Sequence, residues 1–169
     1  SKDFITKRSM RVSRTSVLSV DMLAEGGCAI LITKTKAPSM PSDSFTHYEA
    51  ESAVNTLSGN AAVYDCANCS GGKKVGYLGN GSGTLQFNNI TVDKAGQYQM
   101  KIYYLTADEH WIYCSVNGGS GQRIQIPVTS GSFNNIRTAT VEITLQRGNN
   151  SLKFYHSGWA PDIDQIAIK

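Results

Sequence analysis

From His47 onwards, hydrophobic and polar residues alternate along the chain with the period of β-strands. The clearest runs are Gln97–Tyr104 and Ala139–Leu145, and shorter ones lie at 84–87, 111–116, 122–128, 152–155 and 163–168. Pairs such as Asn80-Gly81, which are typical of tight turns, separate these runs. Because no run has the period of a helix, the pattern predicts an all-β fold built as a sandwich of two antiparallel sheets.

The first part of the chain has a different organisation. Residues 1–36 contain two strand-like runs, 16–20 and 28–32, joined through Glu25-Gly26-Gly27. Two strands cannot bury both of their faces alone, so we expect this segment to pack on other structure. Residues 37–46 hold two prolines and several small polar residues, a composition typical of a linker. The sequence therefore predicts strands of a preceding β-domain at 1–36, a linker at 37–46 and one domain at 47–169.

Charge and composition restrict the partners that we expect. The 169 residues include 16 basic and 13 acidic ones, and seven of the basic residues lie in the first 40 positions. A basic segment can attract polyanions, but these side chains are expected to cover a solvated strand face, and no nucleic-acid partner is predicted. No apolar run reaches the ~20 residues of a membrane span, so no membrane contact is predicted. Four Asn-x-Ser/Thr sequons favour a secreted, extracellular protein whose secretion signal would lie upstream. We also expect the protein to be a monomer.

The four cysteines are Cys28, Cys66, Cys69 and Cys114. The closely spaced pair Cys66 and Cys69 is compatible with a zinc half-site, a redox pair or a small structural disulfide. A four-thiolate zinc site normally has a second close pair, and no helical pattern follows the first pair, as a thioredoxin-type motif would require. We therefore favour a disulfide between Cys66 and Cys69, and buried thiols at Cys28 and Cys114.

Evidence for catalysis is weak in this sequence. It contains no Gly-x-Ser-x-Gly nucleophile elbow, and its three histidines have neither the spacing of metal ligands nor an obvious acidic partner. One alternative interpretation uses Asp108, Glu109 and Asp162 as the carboxylates of a glycoside hydrolase. The sequence is more typical of a binding protein than of an enzyme.

A group of carboxylates indicates a cation site. Glu49 and Glu51 point to the same face if residues 48–51 form a strand. Two like charges so close repel each other, so the pair is either solvent-facing or part of a calcium site. Asp164 lies in an apolar run, where a carboxylate needs a partner, and the first and last strands of a sandwich commonly meet. Together these observations favour calcium.

The chain ends with a loop that is suited to binding a sugar. Trp159 stands between Gly158 and Ala160-Pro161, just ahead of Asp162. An indole exposed on such a loop can stack on a sugar ring, although a core position for Trp159 is the alternative. Trp111, by contrast, opens a strand, so we expect it to pack in the core.

Six motifs along the chain resemble, in order, the family 35 carbohydrate-binding modules, relatives of family 6. They are Tyr48–Glu51, Cys69–Gly79, Gly96–Tyr98, Val116–Gly118, Gly148–Asn150 and Pro161–Ile166, and the resemblance covers about residues 47–169. It implies a jelly-roll-like β-sandwich and non-catalytic carbohydrate binding. It also implies a glycoside hydrolase linked covalently in the parent protein.

The resemblance assigns roles to individual residues. It implies a structural calcium held by Glu49, Glu51, Asp164 and a backbone carbonyl near Lys73. It implies a sugar site among the loops at one end of the sandwich, with Tyr77, Asn117, Trp159 and Asp162 as its residues and Asp108 and His110 as further contributors. A core position for Tyr77 and a purely turn-forming role for Asn117 are the alternatives.

Galactose-type residues are the first choice of ligand. Uronic acids and mannans are the alternatives, since the family binds them too, but Asp162 and Asp108 would repel a uronate unless a second calcium intervened. A purely structural adhesion domain would keep the calcium and bind no sugar. Residues 16–33 resemble the closing strands of the C-terminal β-domain of family 27 glycoside hydrolases, which agrees with a galactose-type ligand.

Overall fold

A computed structural model of the protein describes residues 45–128 and 132–169, all of which belong to the compact unit Met40–Lys169. The segment 1–36, its resemblance to family 27 hydrolases and most of the linker 37–46 lie outside the described residues. Within those residues, no helix is long and apolar enough to cross a membrane.

The alternating runs form strands throughout the described residues. The strands are β1 (Thr46–Glu49), β2 (Thr56–Ser58), β3 (Ala62–Asp65), β4 (Lys73–Gly76), β5 (Thr84–Val92), β6 (Gly96–Thr106), β7 (His110–Val116), β8 (Gly121–Ile126), β9 (Ser132–Leu145), β10 (Gly148–Tyr155) and β11 (Asp162–Ile168). A single 3-10 turn, Ser70–Gly72, precedes β4.

The strands make two antiparallel sheets. The six-stranded sheet has the order β3-β4-β11-β6-β9, with β1 also paired to β11, and the five-stranded sheet has the order β2-β5-β10-β7-β8. Inward-facing residues of both sheets form one hydrophobic core, in which Phe87 and Phe154 meet edge to face with ring centroids 5.7 Å apart. The predicted all-β, jelly-roll-like sandwich is confirmed.

The cysteines follow the prediction where the structure describes them. Cys66 and Cys69 form a disulfide, and Cys114 is a buried free thiol whose pKa is raised to about 12 by burial. Cys28 lies outside the described residues.

Two expectations about strands need correction. β1 ends at Glu49, and Glu51 belongs to the following turn, so the two carboxylates do not share a strand face. The Asn55 side chain stabilises this turn, since its Nδ2 donates to the carbonyl oxygens of Glu49 and Ala50 at 2.8 and 3.0 Å. Trp111 does not belong to the core: its neighbour Ile112 is fully buried, so the strand period turns Trp111 to the outer, solvent side of the five-stranded sheet.

Candidate functional site

Three neighbouring aromatic side chains are exposed at one end of the sandwich. Tyr64, Tyr77 and Trp159, which we name the aromatic platform, are 39%, 51% and 53% exposed. The ring centroids of Tyr64 and Tyr77 are 5.4 Å apart, and those of Tyr77 and Trp159 are 6.2 Å apart. A contiguous group of exposed rings is typical of a binding surface, and such rings can stack on the apolar face of a sugar. The alternative of core positions for Tyr77 and Trp159 is therefore wrong.

Close packing of two loops, 77–83 and 156–160, builds the platform. Gly79 has a φ of +81°, and a side chain at this position would overlap the carbonyl oxygen of Gly158. Gly79 also pairs with Trp159 in an isolated antiparallel bridge, and the Asn80 N–H donates to the Gly158 carbonyl at 2.6 Å. Glycine at position 79 therefore holds the Trp159 loop against the loop that carries Tyr77.

A nearly buried ion pair lies beside the platform. Lys74 Nζ is 2.8 Å from Asp162 Oδ2, and the two side chains are only 13% and 16% exposed. A side chain on Gly76 would contact both Asp162 Oδ1 and the Tyr64 ring, which places Asp162 next to the platform. Burial raises the pKa of Asp162, whereas the hydrogen bond and positive charge of Lys74 lower it.

Asp108 lies in the loop between β6 and β7, and His110 begins β7, at the same end of the domain. Leu105 pairs with Asp162 in the register of β6 and β11, so β6, which ends at Thr106, leaves the sheet beside Asp162. The Thr106 hydroxyl donates to the Asp108 carbonyl oxygen at 2.8 Å, which closes a turn and leaves the Asp108 side chain exposed. Among the described residues, neither Asp108 nor His110 has a hydrogen bond or ring contact with the platform.

Asn117 lies away from the platform. It follows the last residue of β7, whereas His110 begins that strand. The Asn117 side chain accepts from the Ser151 N–H at 2.8 Å and donates to Asn150 Oδ1 at 2.9 Å, so both of its polar atoms have partners. With a φ of 51° it also forms the turn after β7. The structure thus gives Asn117 a turn-forming role and does not bring it together with Trp159.

The three predicted cation-binding side chains, Glu49, Glu51 and Asp164, lie together around the 3-10 turn, and we name them the carboxylate cluster. The Ser70 N–H donates to Asp164 Oδ1 at 3.0 Å, and the Ser70 hydroxyl donates to Glu49 Oε1 at 2.6 Å. A side chain on Gly71 would collide with Glu51 Oε1. The Oε2 atoms of Glu49 and Glu51 are buried and have no hydrogen-bond partner among the described residues.

Mutual repulsion and burial affect the protonation of the cluster. Burial raises the pKa of Asp164 to about 6; the Glu49 and Glu51 charges add to this rise, and the Ser70 N–H opposes it. Burial, with a contribution from the Glu49 charge, also raises the pKa of Glu51. The cluster is therefore a concentration of negative charge that its hydrogen bonds satisfy only in part.

The side chains around the cluster do not form a finished coordination shell. Among the described residues, no group of three or more His, Cys, Asp or Glu side chains is arranged so that it could hold a metal ion. The Lys73 side chain points to Asp65, with its Nζ 3.0 Å from Asp65 Oδ1, in an exposed ion pair. The backbone of Lys73 directly follows the 3-10 turn, and the positive charge of Lys73 lowers the pKa of Glu51.

Sequence reasoning missed three residues of these sites: Tyr64, Lys74 and Ser70. Tyr64 and Lys74 are opposite each other in the pairing of β3 with β4, and β4 in turn pairs with β11, which carries Asp162. These neighbours come from long-range strand pairing, which local sequence patterns do not indicate. The available signal for Ser70 was its position directly after Cys69, the last residue of the small loop that the disulfide closes.

Comparisons with known proteins agree with this geometry. The model of the carbohydrate-binding module family 35 matches residues 46–169. Among curated proteins, no sequence matches the chain significantly. A solved structure of a family 35 module from Clostridium thermocellum is similar, with 36% identity, a TM-score of 0.70, and coverage of 73% of this chain and 97% of that one.

Larger enzymes contain similar domains. An exo-β-1,3-galactanase from Phanerochaete chrysosporium, solved with β-1,3-galactotriose, is 32% identical with a TM-score of 0.68, and the match covers 74% of this chain but 29% of the galactanase. A cycloalternan-forming enzyme from Listeria monocytogenes, solved with a pentasaccharide substrate, is 28% identical with a TM-score of 0.64, and the match covers 73% of this chain and 12% of the enzyme. The chain thus corresponds to a small part of each enzyme.

The family match and the 36% identical module establish what kind of domain this is. Modules of this family bind carbohydrate without catalysing a reaction, so the predicted binding function is confirmed, and the domain is not an enzyme on its own. The chain belongs to family 35 of the carbohydrate-binding modules.

Proposed function

We propose that the aromatic platform and Asp162 bind galactose-type sugars and thereby bring an attached glycoside hydrolase to its substrate. The observation that carries the proposal is the half-exposed Trp159 ring, held beside Tyr77 and close to the ion-paired Asp162. Trp159 offers its face to the apolar side of a galactose ring, while Asp162 accepts hydrogen bonds from the sugar hydroxyls.

Two observations support a neutral galactoside as the ligand. The relative from Phanerochaete chrysosporium, at 32% identity, is an exo-β-1,3-galactanase solved with β-1,3-galactotriose. The positive charge of Lys74 balances the negative charge of Asp162. The hydroxyl groups of a neutral sugar can therefore donate hydrogen bonds to the Asp162 carboxylate without the sugar having to supply a counter-charge. Uronic acids rank second because Asp108, on the neighbouring loop, adds a solvent-exposed negative charge.

The proposal includes a structural calcium ion at the carboxylate cluster. The buried Oε2 atoms of Glu49 and Glu51 have no hydrogen-bond partner among the described residues, and hard oxygen donors of this kind fit calcium. Like charges repel, so a cation bound between the three carboxylates would relieve their mutual repulsion. Glu49, Glu51, Asp164 and a carbonyl oxygen near Lys73 would hold the ion, which would join β1 and the 3-10 turn to β11.

An extracellular location and a monomeric state complete the proposal. The disulfide between Cys66 and Cys69 supports an oxidising compartment, because such bonds rarely persist in the cytosol. Two catalytic relatives, in which similar domains make up 29% and 12% of the chains, support attachment to an enzyme.

Calorimetric titration with β-1,3-galactotriose, mannotriose and glucuronic acid tests the sugar assignment. We expect the galactoside to bind most tightly and Trp159→Ala to cost about 1–3 kcal/mol of binding free energy, since a stacked aromatic residue is a typical hot spot. Trp159→Phe should lose less, because it keeps an aromatic face.

The control is Val54→Ala, a change at a 56% exposed apolar residue outside the platform, which should leave affinity unchanged. Unchanged galactoside affinity in a folded Trp159→Ala variant would place the sugar elsewhere and end the proposal.

A further inference from the structure

A second group of aromatic side chains lies on the outer face of the five-stranded sheet, apart from the platform. Tyr113 on β7 and Tyr155 on β10 are directly opposite each other in the strand register. Their rings are stacked, with centroids 5.4 Å apart and planes inclined by 26°. Trp111, two residues before Tyr113 on the same face, meets Tyr113 edge to face at 4.9 Å. All three side chains are only half-buried, so they present ring surface to solvent.

The neighbouring strand is adapted to this tyrosine pair. Gly121 begins β8, and a side chain at this position would overlap the Tyr155 hydroxyl group and press on Tyr113. The backbone of Gly121 does not have a positive φ, so its conformation does not require glycine. Glycine at 121 therefore serves to leave room for the Tyr155 side chain.

A groove of about 390 Å³ runs beside Tyr155. Its walls carry the hydroxyl groups of Ser82, Thr84 and Ser115 and the charged side chain of Lys153. This volume is within the range of small-molecule sites, roughly 300–1,000 Å³. The combination of a ring surface with several hydroxyl groups suits a sugar, which needs both an apolar face to stack on and polar partners for its hydroxyls.

The groove has a positive charge. Lys153 lies two residues from Tyr155 on the same strand face, is exposed, and forms no ion pair with any described residue. The Arg123 guanidinium lies 4.7 Å from the Trp111 ring and adds a second cation to this sheet face. No carboxylate is among the described residues that line the groove. A sugar that carries a negative group would complement this charge.

We propose that this outer face is a second carbohydrate-binding site, which takes an acidic sugar. The sugar ring stacks on the Tyr113–Tyr155 pair, and its carboxylate pairs with Lys153. The site is distinct from the aromatic platform, but the loops 77–83 and 156–160 serve both: Ser82 and His156 line the groove, and Tyr77 and Trp159 belong to the platform. This shared position favours a glycan over a nucleic acid, which would also use rings and cations.

Titrations of two matched trisaccharides, tri-galacturonate and β-1,3-galactotriose, test the second site. We expect Lys153→Gln to weaken tri-galacturonate binding by about threefold to tenfold, because it removes one charge-assisted contact. Galactotriose affinity should not change in this variant. Tyr155→Ala should weaken tri-galacturonate binding by roughly tenfold or more, because it removes half of the stacking surface.

Two further variants make the result specific. Lys94→Gln removes an exposed positive charge between β5 and β6 and should leave tri-galacturonate affinity unchanged. Trp159→Ala, which tests the platform, should also leave it unchanged. Lys153 is exposed, so Lys153→Gln keeps the test valid even if Tyr155→Ala does not fold.

Several outcomes would overturn the second site. They are loss of tri-galacturonate binding in Trp159→Ala, normal tri-galacturonate binding in Lys153→Gln, and Tyr155-dependent binding of a single-stranded oligonucleotide in preference to the acidic sugar. A failure of the galactose proposal is distinguishable, because it would appear only in the galactotriose titrations.

Discussion

Lys74 and Lys73 are adjacent in the chain, yet their ion pairs differ in environment. Lys74 pairs with Asp162 where both side chains are less than one fifth exposed, whereas the Lys73 and Asp65 side chains are 49% and 93% exposed. A solvent-exposed ion pair contributes little to the stability of a protein. A buried carboxylate whose partner is removed is different, because its desolvation still costs free energy and no attraction to a positive charge offsets that cost. The Lys74–Asp162 pair is therefore a nearly buried ion pair beside the aromatic platform, whereas the Lys73–Asp65 pair lies on the exposed surface.

We predict that Lys74→Met destabilises the domain by about 1–3 kcal/mol, because it leaves the Asp162 carboxylate buried and unpaired. Lys73→Met, the matched control, should cost about 0–1 kcal/mol, since its pair is exposed. Urea denaturation of both variants measures the difference. Equal stabilities would contradict the view that Lys74 compensates a buried charge. The double variant with Asp162→Asn should recover part of the loss, as expected when the charge itself is removed.

Gly79 and Gly81 offer a second matched comparison, because their φ angles are +81° and +82°. We predict that alanine costs about 1–2 kcal/mol at either position through backbone strain alone. Gly79→Ala should cost more and should also weaken galactoside binding, since its side chain would push the Gly158 carbonyl and the Trp159 loop away. Nothing lies within 4 Å of a side chain placed at Gly81. Thermal unfolding and sugar titration of both variants check this, and equal effects would contradict it.

At the scale of elements, the contact between the first and last strands of the domain organises the carboxylate cluster. β1 pairs with β11 along its whole length, from Thr46 opposite Ile168 to Glu49 opposite Gln165. The Ala50 N–H then donates to the Asp164 carbonyl oxygen at 3.0 Å, which keeps the turn after β1 beside β11. The third part is the Ser70 turn, which directly follows the Cys66–Cys69 disulfide and is held by a hydrogen bond from the Cys66 N–H to the Gly72 carbonyl oxygen at 2.8 Å. These segments are remote in sequence, so a cation between them would act as a cross-link.

We predict that chelation lowers the melting temperature and that added calcium restores it. An ion that binds only the folded state stabilises it by about 2.7 kcal/mol at a concentration of 100 times its Kd. Glu49→Gln and Asp164→Asn should abolish the calcium-dependent shift. Glu142→Gln, which changes an exposed carboxylate on β9, should preserve it. Melting curves that are identical in chelator and in excess calcium would remove calcium from the proposal.

Strand alternation in the sequence predicted β5 to β11 but not the short strands β2, β3 and β4. The meeting of the first and last strands was expected because such strands commonly pair in a sandwich, and β1 does pair with β11. The sequence predicted less about the loops, because turns depend on individual side chains, such as Asn55, which stabilises the turn that contains Glu51. The misplacement of Trp111 had a signal that was overlooked: Ile112 and Cys114 are the apolar positions of β7, so the period already turned Trp111 outward. Lys74 beside Asp162 had no signal, since the pairing of β4 with β11 joins distant parts of the chain.

At the scale of the whole molecule, the core lies within the described residues and draws on both sheets. Its buried side chains extend from Ala50 to Ile168, and the two ends of this range are joined through the pairing of β1 with β11. A domain whose terminal strands pair and whose core is continuous should fold as one unit. Cys114 lies inside this core as a free thiol that is 2% exposed. It can therefore report the unfolding of the whole domain.

We predict that a fragment of residues 45–169 folds in a single transition and binds galactosides with the affinity of the full chain. In this fragment Cys114 is the only cysteine outside the Cys66–Cys69 disulfide, so a thiol reagent should find one reactive group after unfolding without reductant. In the folded state that group should be almost inert, because burial raises its pKa to about 12 and hides it from the reagent. The labelling rate should rise with urea in parallel with the loss of β-sheet circular dichroism. Rapid labelling of the native fragment, or two separate transitions, would show that the core does not hold as one unit.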